Sequence, residues 1–187
     1  MHALVQKLQL SVEDYLEGEL ESRIKHEYLA GEVVAMAGAS DRHGLVAMAL
    51  GAQLYPHARK RGCQLFMADM KVKVVDERDT YFYYPDLVLA CDPNDRESPY
   101  YRTNPCLIIE ITSPSTARID LFEKRFNYAR IPGLKEYLVI NPDRRRVEVF
   151  RYPGATHDLY LHGHFCLVCL DIELEVKSLF ADLSETS

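Results

Sequence analysis

Apolar residues at Leu45, Val46, Ala49, Leu50 and Leu54 recur at helical spacing, which predicts a helix from Ser40 to Arg61 with Ser40 as its cap and Gly62 as its stop. Pro56 falls inside this pattern, where its missing N–H is expected to kink or shorten the helix. Upstream, "SVEDYLEGE" predicts a short first helix: Ser11 caps exposed N–H groups, and Glu13 and Asp14 suit the positive end of the helix dipole. "HEYLAGEVVAMAG" then reads as two short strands turning at Ala30 and Gly31, with Glu32 opening the second.

Further along, the period shortens. "QLFMADMKVKVVD", alternating around Asp69, Lys71 and Lys73, and "YFYYPDLVLACD", rich in aromatic and β-branched residues, read as strands joined through "ERDT" and paired antiparallel. "DPNDRESPYYRTN" is loop, and the apolar run from Cys106 to Ile111 is a buried strand. After a turn at "SPST", Ser115 or Thr116 caps a predicted helix from about Ala117 to Ile131, with Ile119, Phe122, Phe126 and Ala129 as its apolar stripe and Pro132 and Gly133 as its stop. "KEYLVIN", "RVEVFRY", "DLYLHGHF" and "CLVCLDIELEV" follow as strands, the first two joined through Asn141, Pro142 and Asp143. With no repeat, low-complexity tract or linker, residues 1–187 are expected to form one domain.

Composition narrows the class. No apolar run approaches the roughly 20 residues that cross a bilayer, so no membrane partner is expected. "MHALVQKLQLSVEDYLEG" lacks the layout of a signal peptide, which makes the cytoplasm the expected location. The five cysteines (Cys63, Cys91, Cys106, Cys166 and Cys169) are odd in number, scattered and mostly in apolar segments, and are expected to be reduced core thiols rather than a disulfide framework. Cys166 and Cys169 have CxxC spacing without a second pair, which does not make a zinc site. A net charge of −6 argues against charge-driven, sequence-independent nucleic-acid binding but suits a domain that gathers carboxylates around a divalent cation.

Two of those carboxylates stand out. Glu110 lies inside "CLIIEITS" and Asp86 follows Pro85 in "YYPDLVLA", both within segments that otherwise read as buried. A buried carboxylate is costly unless paired or bound to a metal. Neighbouring strands lie about 4.8 Å apart, so two such acids in register can share one cation. Alternation points Glu110 and Thr112 to one side of the strand and Ile109 and Ile111 to the other, with the carbonyl of Ile111 as a third oxygen nearby. Two carboxylates, a carbonyl, water and a phosphate suit octahedral Mg²⁺, beside which water can become a nucleophile.

In this arrangement the chain resembles the PD-(D/E)XK nuclease superfamily, with Pro85 and Asp86 as "PD" and Glu110, Ile111 and Thr112 in place of "(D/E)XK". Thr112 stands where the lysine belongs, and Lys124 on the following helix is the candidate replacement, since Asp120, Lys124 and Tyr128 share a helix face. The ordered series "GEVVAMAGAS" with His43, "YYPDLVLACD", "PCLIIEITSPST", Asp120 with Lys124 and Tyr128, and "GLKEYLVINP" is similar to the Uma-two family, whose members are assigned as restriction endonucleases by homology, over roughly residues 11 to 175. The resemblance implies an α/β restriction-endonuclease-like fold, a mixed central sheet flanked by helices with amino- and carboxy-terminal hairpins. It implies Mg²⁺ or Mn²⁺, a DNA substrate and a homodimer. Asp86, Glu110 and the Ile111 carbonyl would hold metal, Lys124 would steady water and phosphate, and Glu32 would assist from the margin; His43, Thr112, Asp120 and Tyr128 are second-tier candidates.

Plainer readings stand beside these. Asp86 and Glu110 can be a structural pair, Lys124 a helical ion pair with Asp120 worth about 0.2–0.5 kcal/mol, Glu32 a solvated hairpin residue and His43 a packed histidine. Asp69, His162, His164, the basic run Arg144, Arg145 and Arg146, and Tyr83, Tyr84, Tyr100 and Tyr101 read more simply as surface or packing residues. The rival function is a catalytically inactive nucleic-acid- or protein-binding module on the same fold. A hydrolase or binder of small phosphorylated ligands lacks a phosphate-cradling glycine loop here.

Overall fold

The computed structural model describes residues 9–112 and 119–184. The "SPST" turn with Ser115 and Thr116 lies outside them, as does the side chain of Asp120.

Helix α1 (Val12–Glu21) begins at Ser11, whose hydroxyl accepts the Asp14 N–H. Strands β1 (His26–Leu29) and β2 (Glu32–Ala35) form a hairpin whose two turn residues, Ala30 and Gly31, have φ of 52° and 100°, the conformation that matches strand twist. Helix α2 (Asp41–Lys60) is capped by Ser40 and ends before Gly62, which has φ of 71°. It runs unshortened past Pro56, whose missing N–H removes one bond without stopping a helix held by the buried Leu50, Leu54 and Ala58.

The two strands expected next are four. β3 (Gln64–Met67) and β4 (Lys71–Val75) come from the first, β5 (Thr80–Tyr83) and β6 (Leu87–Ala90) from the second. The expected antiparallel pairing holds in both halves, β4 with β5 and β3 with β6, but the halves lie in different sheets. Ala68, at φ of 56°, breaks the first strand, and Tyr84, Pro85 and Asp86 carry the second around the return corner. A short β7 (Tyr101–Arg102) pairs parallel with β4 inside the expected loop.

Then come β8 (Leu107–Ile111), a π-helical stretch at Ile119–Lys124, helix α3 (Arg125–Tyr128), β9 (Glu136–Asn141), β10 (Arg146–Arg151), β11 (Thr156–Tyr160), β12 (His164–Leu167), β13 (Ile172–Glu175) and α4 (Val176–Leu179). "DLYLHGHF" splits between β11 and β12, and "CLVCLDIELEV" is the β12–β13 hairpin rather than one strand, because Asp171 at φ of 52° turns the chain back.

The six-stranded sheet has the order β11-β10-β9-β8-β6-β3, mixed because β8 and β9 run parallel while its other pairs are antiparallel; the five-stranded sheet has the order β2-β1-β5-β4-β7. Alternation gives the large sheet two working faces. Leu107, Ile109 and Ile111 of β8 join α2, α4 and the β12–β13 hairpin in one core. Ile108, with Val139 and Phe150, faces β4, β5 and α3 in a second. Aromatic packing of Tyr15, Tyr28 and Phe82 fixes α1 on the outside of the smaller sheet.

The cysteines differ from expectation. Cys63 and Cys91 form a disulfide, because β3 and β6 pair Gln64 with Ala90 and so bring the next two residues to a Cα–Cα distance of 4.2 Å. That register joins residues 28 apart in sequence, which scattered spacing does not reveal. Cys106 and Cys169 are buried thiols, as expected, and Cys166 is exposed.

Candidate active site

The strand pairing answers why β8 carries an acid. β6 and β8 pair Leu87 with Ile109, so the next position sets Asp86 opposite Glu110 at the corner where the chain passes from one sheet to the other. Asp86 Oδ2 accepts the Ile111 N–H at 2.6 Å. The N–H and C=O of one strand residue point to the same side, so the Ile111 carbonyl faces the Asp86 side as well. His43, in the first turn of α2, places Nε2 2.8 Å from Asp86 Oδ1; a carboxylate only accepts, so Nε2 carries the proton.

Glu110 is buried on the face opposite Ile109 and Ile111. Its Oε1 accepts from Lys124 Nζ at 3.1 Å and from the Tyr128 hydroxyl at 3.0 Å. Lys124 also lies 2.9 Å from Glu27 Oε1 and 5.6 Å from the centre of the Tyr83 ring. Burial, and secondarily the charge of Glu110, hold the Tyr128 phenol far above its ordinary pKa, so it stays a hydrogen-bond donor to the carboxylate. Tyr83 is raised mainly by burial and takes a hydrogen bond from Asn127 Nδ2.

The helix that delivers Lys124 faces the other way from its apolar pattern. Phe122, Phe126 and Ala129 are exposed, the two phenylalanines at 65% and 67%, while Lys124, Asn127 and Tyr128 are buried. The expected apolar stripe is therefore wrong at those three positions. Hydrogen bonds to Glu110 and Tyr83 hold the polar face inward, and Arg130 stacks 4.2 Å from the Phe126 ring outside. π-Helical turns are uncommon and recur at functional sites.

Glu27 is the acid that sequence reasoning misses. It sits on β1, the strand paired with β5, accepts the Tyr84 N–H at 3.2 Å and closes an ion triad with Lys124 and Glu110. Its signal is alternation: Glu27 shares a strand face with Leu29, which packs against the second core. Glu32 pairs with Leu29 across the hairpin, on that same face but exposed at its rim. Thr112 is buried and turns its hydroxyl to the Ile140 carbonyl at 3.3 Å, away from any lysine-like role. Asp69 is exposed and paired with Lys25, Arg145 and Arg146 bond within the fold, and Tyr83 and Tyr84 are buried.

Two carboxylates, Glu110 and Glu27, thus flank one ammonium, and a third, Asp86, stands opposite Glu110 across the strand pair. That surplus of negative charge, with only hard oxygen donors at Asp86, Glu110 and the Ile111 carbonyl, fits a cation such as Mg²⁺ rather than a soft metal. Among the described residues no group of three or more His, Cys, Asp or Glu is disposed to hold a metal by itself. A cation held there would need the rest of its oxygens from water or a bound phosphate.

Residues 12–171 match the family profile described as "Uma2: Putative restriction endonuclease". The chain belongs to the Uma2 family. Two uncharacterized proteins of Synechocystis sp., slr1290 and sll1609, are each 34% identical to it, over 75% and 78% of this chain and 73% and 82% of their own lengths. The crystal structure of a "putative nuclease belonging to DUF820" from Anabaena variabilis superposes with a TM-score of 0.71, covering 92% of this chain and 98% of that one at 17% identity. The fold is the restriction-endonuclease-like α/β fold expected from the Uma2 resemblance.

Proposed function

We propose that this Uma2 protein is a divalent-metal-dependent DNA endonuclease that hydrolyses phosphodiester bonds, acting in the cytoplasm as a single-domain homodimer. The observation that carries the reading is Lys124, an ammonium buried against Glu110 and Glu27 by a helix that exposes two phenylalanines, with Asp86 opposite Glu110 across the strand pair. Asp86, Glu110 and the Ile111 carbonyl would hold Mg²⁺ or Mn²⁺. When bound, the cation supplies charge to the phosphate and lowers the pKa of water.

The protein's own residues supply the positioning. Lys124 Nζ sets a fixed positive charge beside the water and the scissile phosphate, the role that Thr112 does not fill. Tyr128 and Glu27 hold Glu110 and Lys124 in place, and His43 and the Ile111 N–H fix the rotamer of Asp86. Glu32 assists from the rim.

Incubating the purified protein with supercoiled plasmid or single-stranded DNA in Mg²⁺, Mn²⁺ or EDTA tests this. Cleavage is expected with metal only and is lowered at least ~100-fold in Glu110→Ala. Equal cleavage by both proteins would assign the activity to a contaminant. A catalytically inactive binding module is the second reading, favoured by the ion triad, in which Lys124 is already matched by two carboxylates. DNA retention that survives EDTA and Asp86→Ala, with neither DNA cleaved, would support it.

A further inference from the structure

Away from the acidic corner, four of the five cysteines meet at the opposite end of β6 and β8. Cys91 follows β6 and is bonded to Cys63, which follows α2. Cys106 precedes β8, and its Sγ lies 3.2 Å from Cys91 Sγ. Cys169 Sγ donates to the Cys106 carbonyl at 2.8 Å. Cys63 and Cys91 are partly exposed, while Cys106 and Cys169 are buried. A third sulfur thus stands within the roughly 3–3.5 Å of a reacting pair, next to a disulfide both of whose cysteines are partly exposed.

We propose that Cys63, Cys91 and Cys106 form a thiol–disulfide exchange site in which Cys106 displaces Cys63 from Cys91 and so presents a thiol at the surface. Cys106 loses its proton and its sulfur bonds to Cys91 Sγ. The Cys63–Cys91 bond breaks, and its electron pair leaves with Cys63 Sγ, which takes up a proton. One disulfide exists before and after, so no oxidant or reductant is consumed. The 3.2 Å approach of its sulfur to Cys91 Sγ assigns Cys106 as the attacking group, and the neighbouring Cys169 holds the Cys106 thiol below its ordinary pKa, which favours the thiolate. Exchange moves the covalent tether from β3–β6 to β6–β8, the pair that carries Asp86 and Glu110. The partly exposed product, Cys63, is open to soft electrophiles.

The test uses the full-length oxidised protein, N-ethylmaleimide and non-reducing peptide mapping by mass spectrometry. Labelled Cys63 is expected in molecules that carry a Cys91–Cys106 link, with the exposed Cys166 as an internal reference. Cys106→Ala should slow Cys63 labelling by about tenfold or more and leave Cys166 unchanged. Should that variant not fold, Cys63→Ser, at a partly exposed position, is expected to carry the Cys91–Cys106 link. The proposal is overturned by Cys63 staying unlabelled while linked only to Cys91, by equal labelling in Cys106→Ala, by free Cys91 and Cys106 in Cys63→Ser, or by wild type that holds no disulfide.

Discussion

Helix α2 and the helix that carries Lys124 obey opposite rules. α2 buries most of what its pattern says it should: of the expected stripe Val46, Leu50 and Leu54 sit in the core and Ala49 is half-buried, while Leu45, near the first turn, is exposed. The other helix starts with a π-helical stretch, exposes Phe122 and Phe126 and buries an ammonium, an amide and a phenol. Burying polar groups is tolerable only because each finds a partner, Lys124 with Glu27 and Glu110, Tyr128 with Glu110, Asn127 with Tyr83. The difference separates a helix whose inward face is set by apolar packing from one whose inward face is set by polar pairing, and places where local rules are broken tend to be functional.

That contrast can be broken at Lys124 first. Lys124→Met strands the buried Glu110 and the partly buried Glu27 and should destabilise the protein by about 3–5 kcal/mol in urea unfolding. Adding Glu27→Gln should restore part of the loss, because it removes one of the unpaired charges. No recovery in the double variant would mean that the triad of charges is not what holds this helix.

On α2, Leu50→Ala should cost about 3 kcal/mol by cavity formation, with DNA cleavage per folded molecule unchanged. A loss of cleavage beyond the loss of folded protein would erase the division of labour between the helices. The smallest effect belongs to Phe122→Ser, a change of a large apolar residue at an exposed site that should stay within about 0.5 kcal/mol in the same unfolding assay. A cost of core size there would show that the apolar stripe is packed after all.

Much of this is legible in the order of residues alone. Caps at Ser11 and Ser40, the stop at Gly62 and the turn at Ala30 and Gly31 are local chemistry, and local chemistry survives folding. The approach of Asp86 to Glu110 is legible because charge inside an apolar strand demands a partner. Lys124 is legible from helical spacing to Tyr128, although the spacing does not say which face turns inward.

What stays hidden depends on register and on sheet membership. The breaks at Ala68 and at Tyr84 to Asp86 leave the apolar alternation nearly intact while sending each half to a different sheet. Glu27 reads as one acid in a hairpin, and only the pairing of β1 with β5 brings it to Lys124. The Cys63–Cys91 bond is likewise a consequence of pairing between β3 and β6.

The central claim is that paired acids at the sheet corner serve a divalent cation, and Mn²⁺ titration calorimetry measures this directly. A saturable Mn²⁺ site in the wild-type protein that disappears in both Asp86→Ala and Glu110→Ala, each shown to be folded, is the predicted result. Absence of binding to the wild type, or binding that both variants retain, would contradict it.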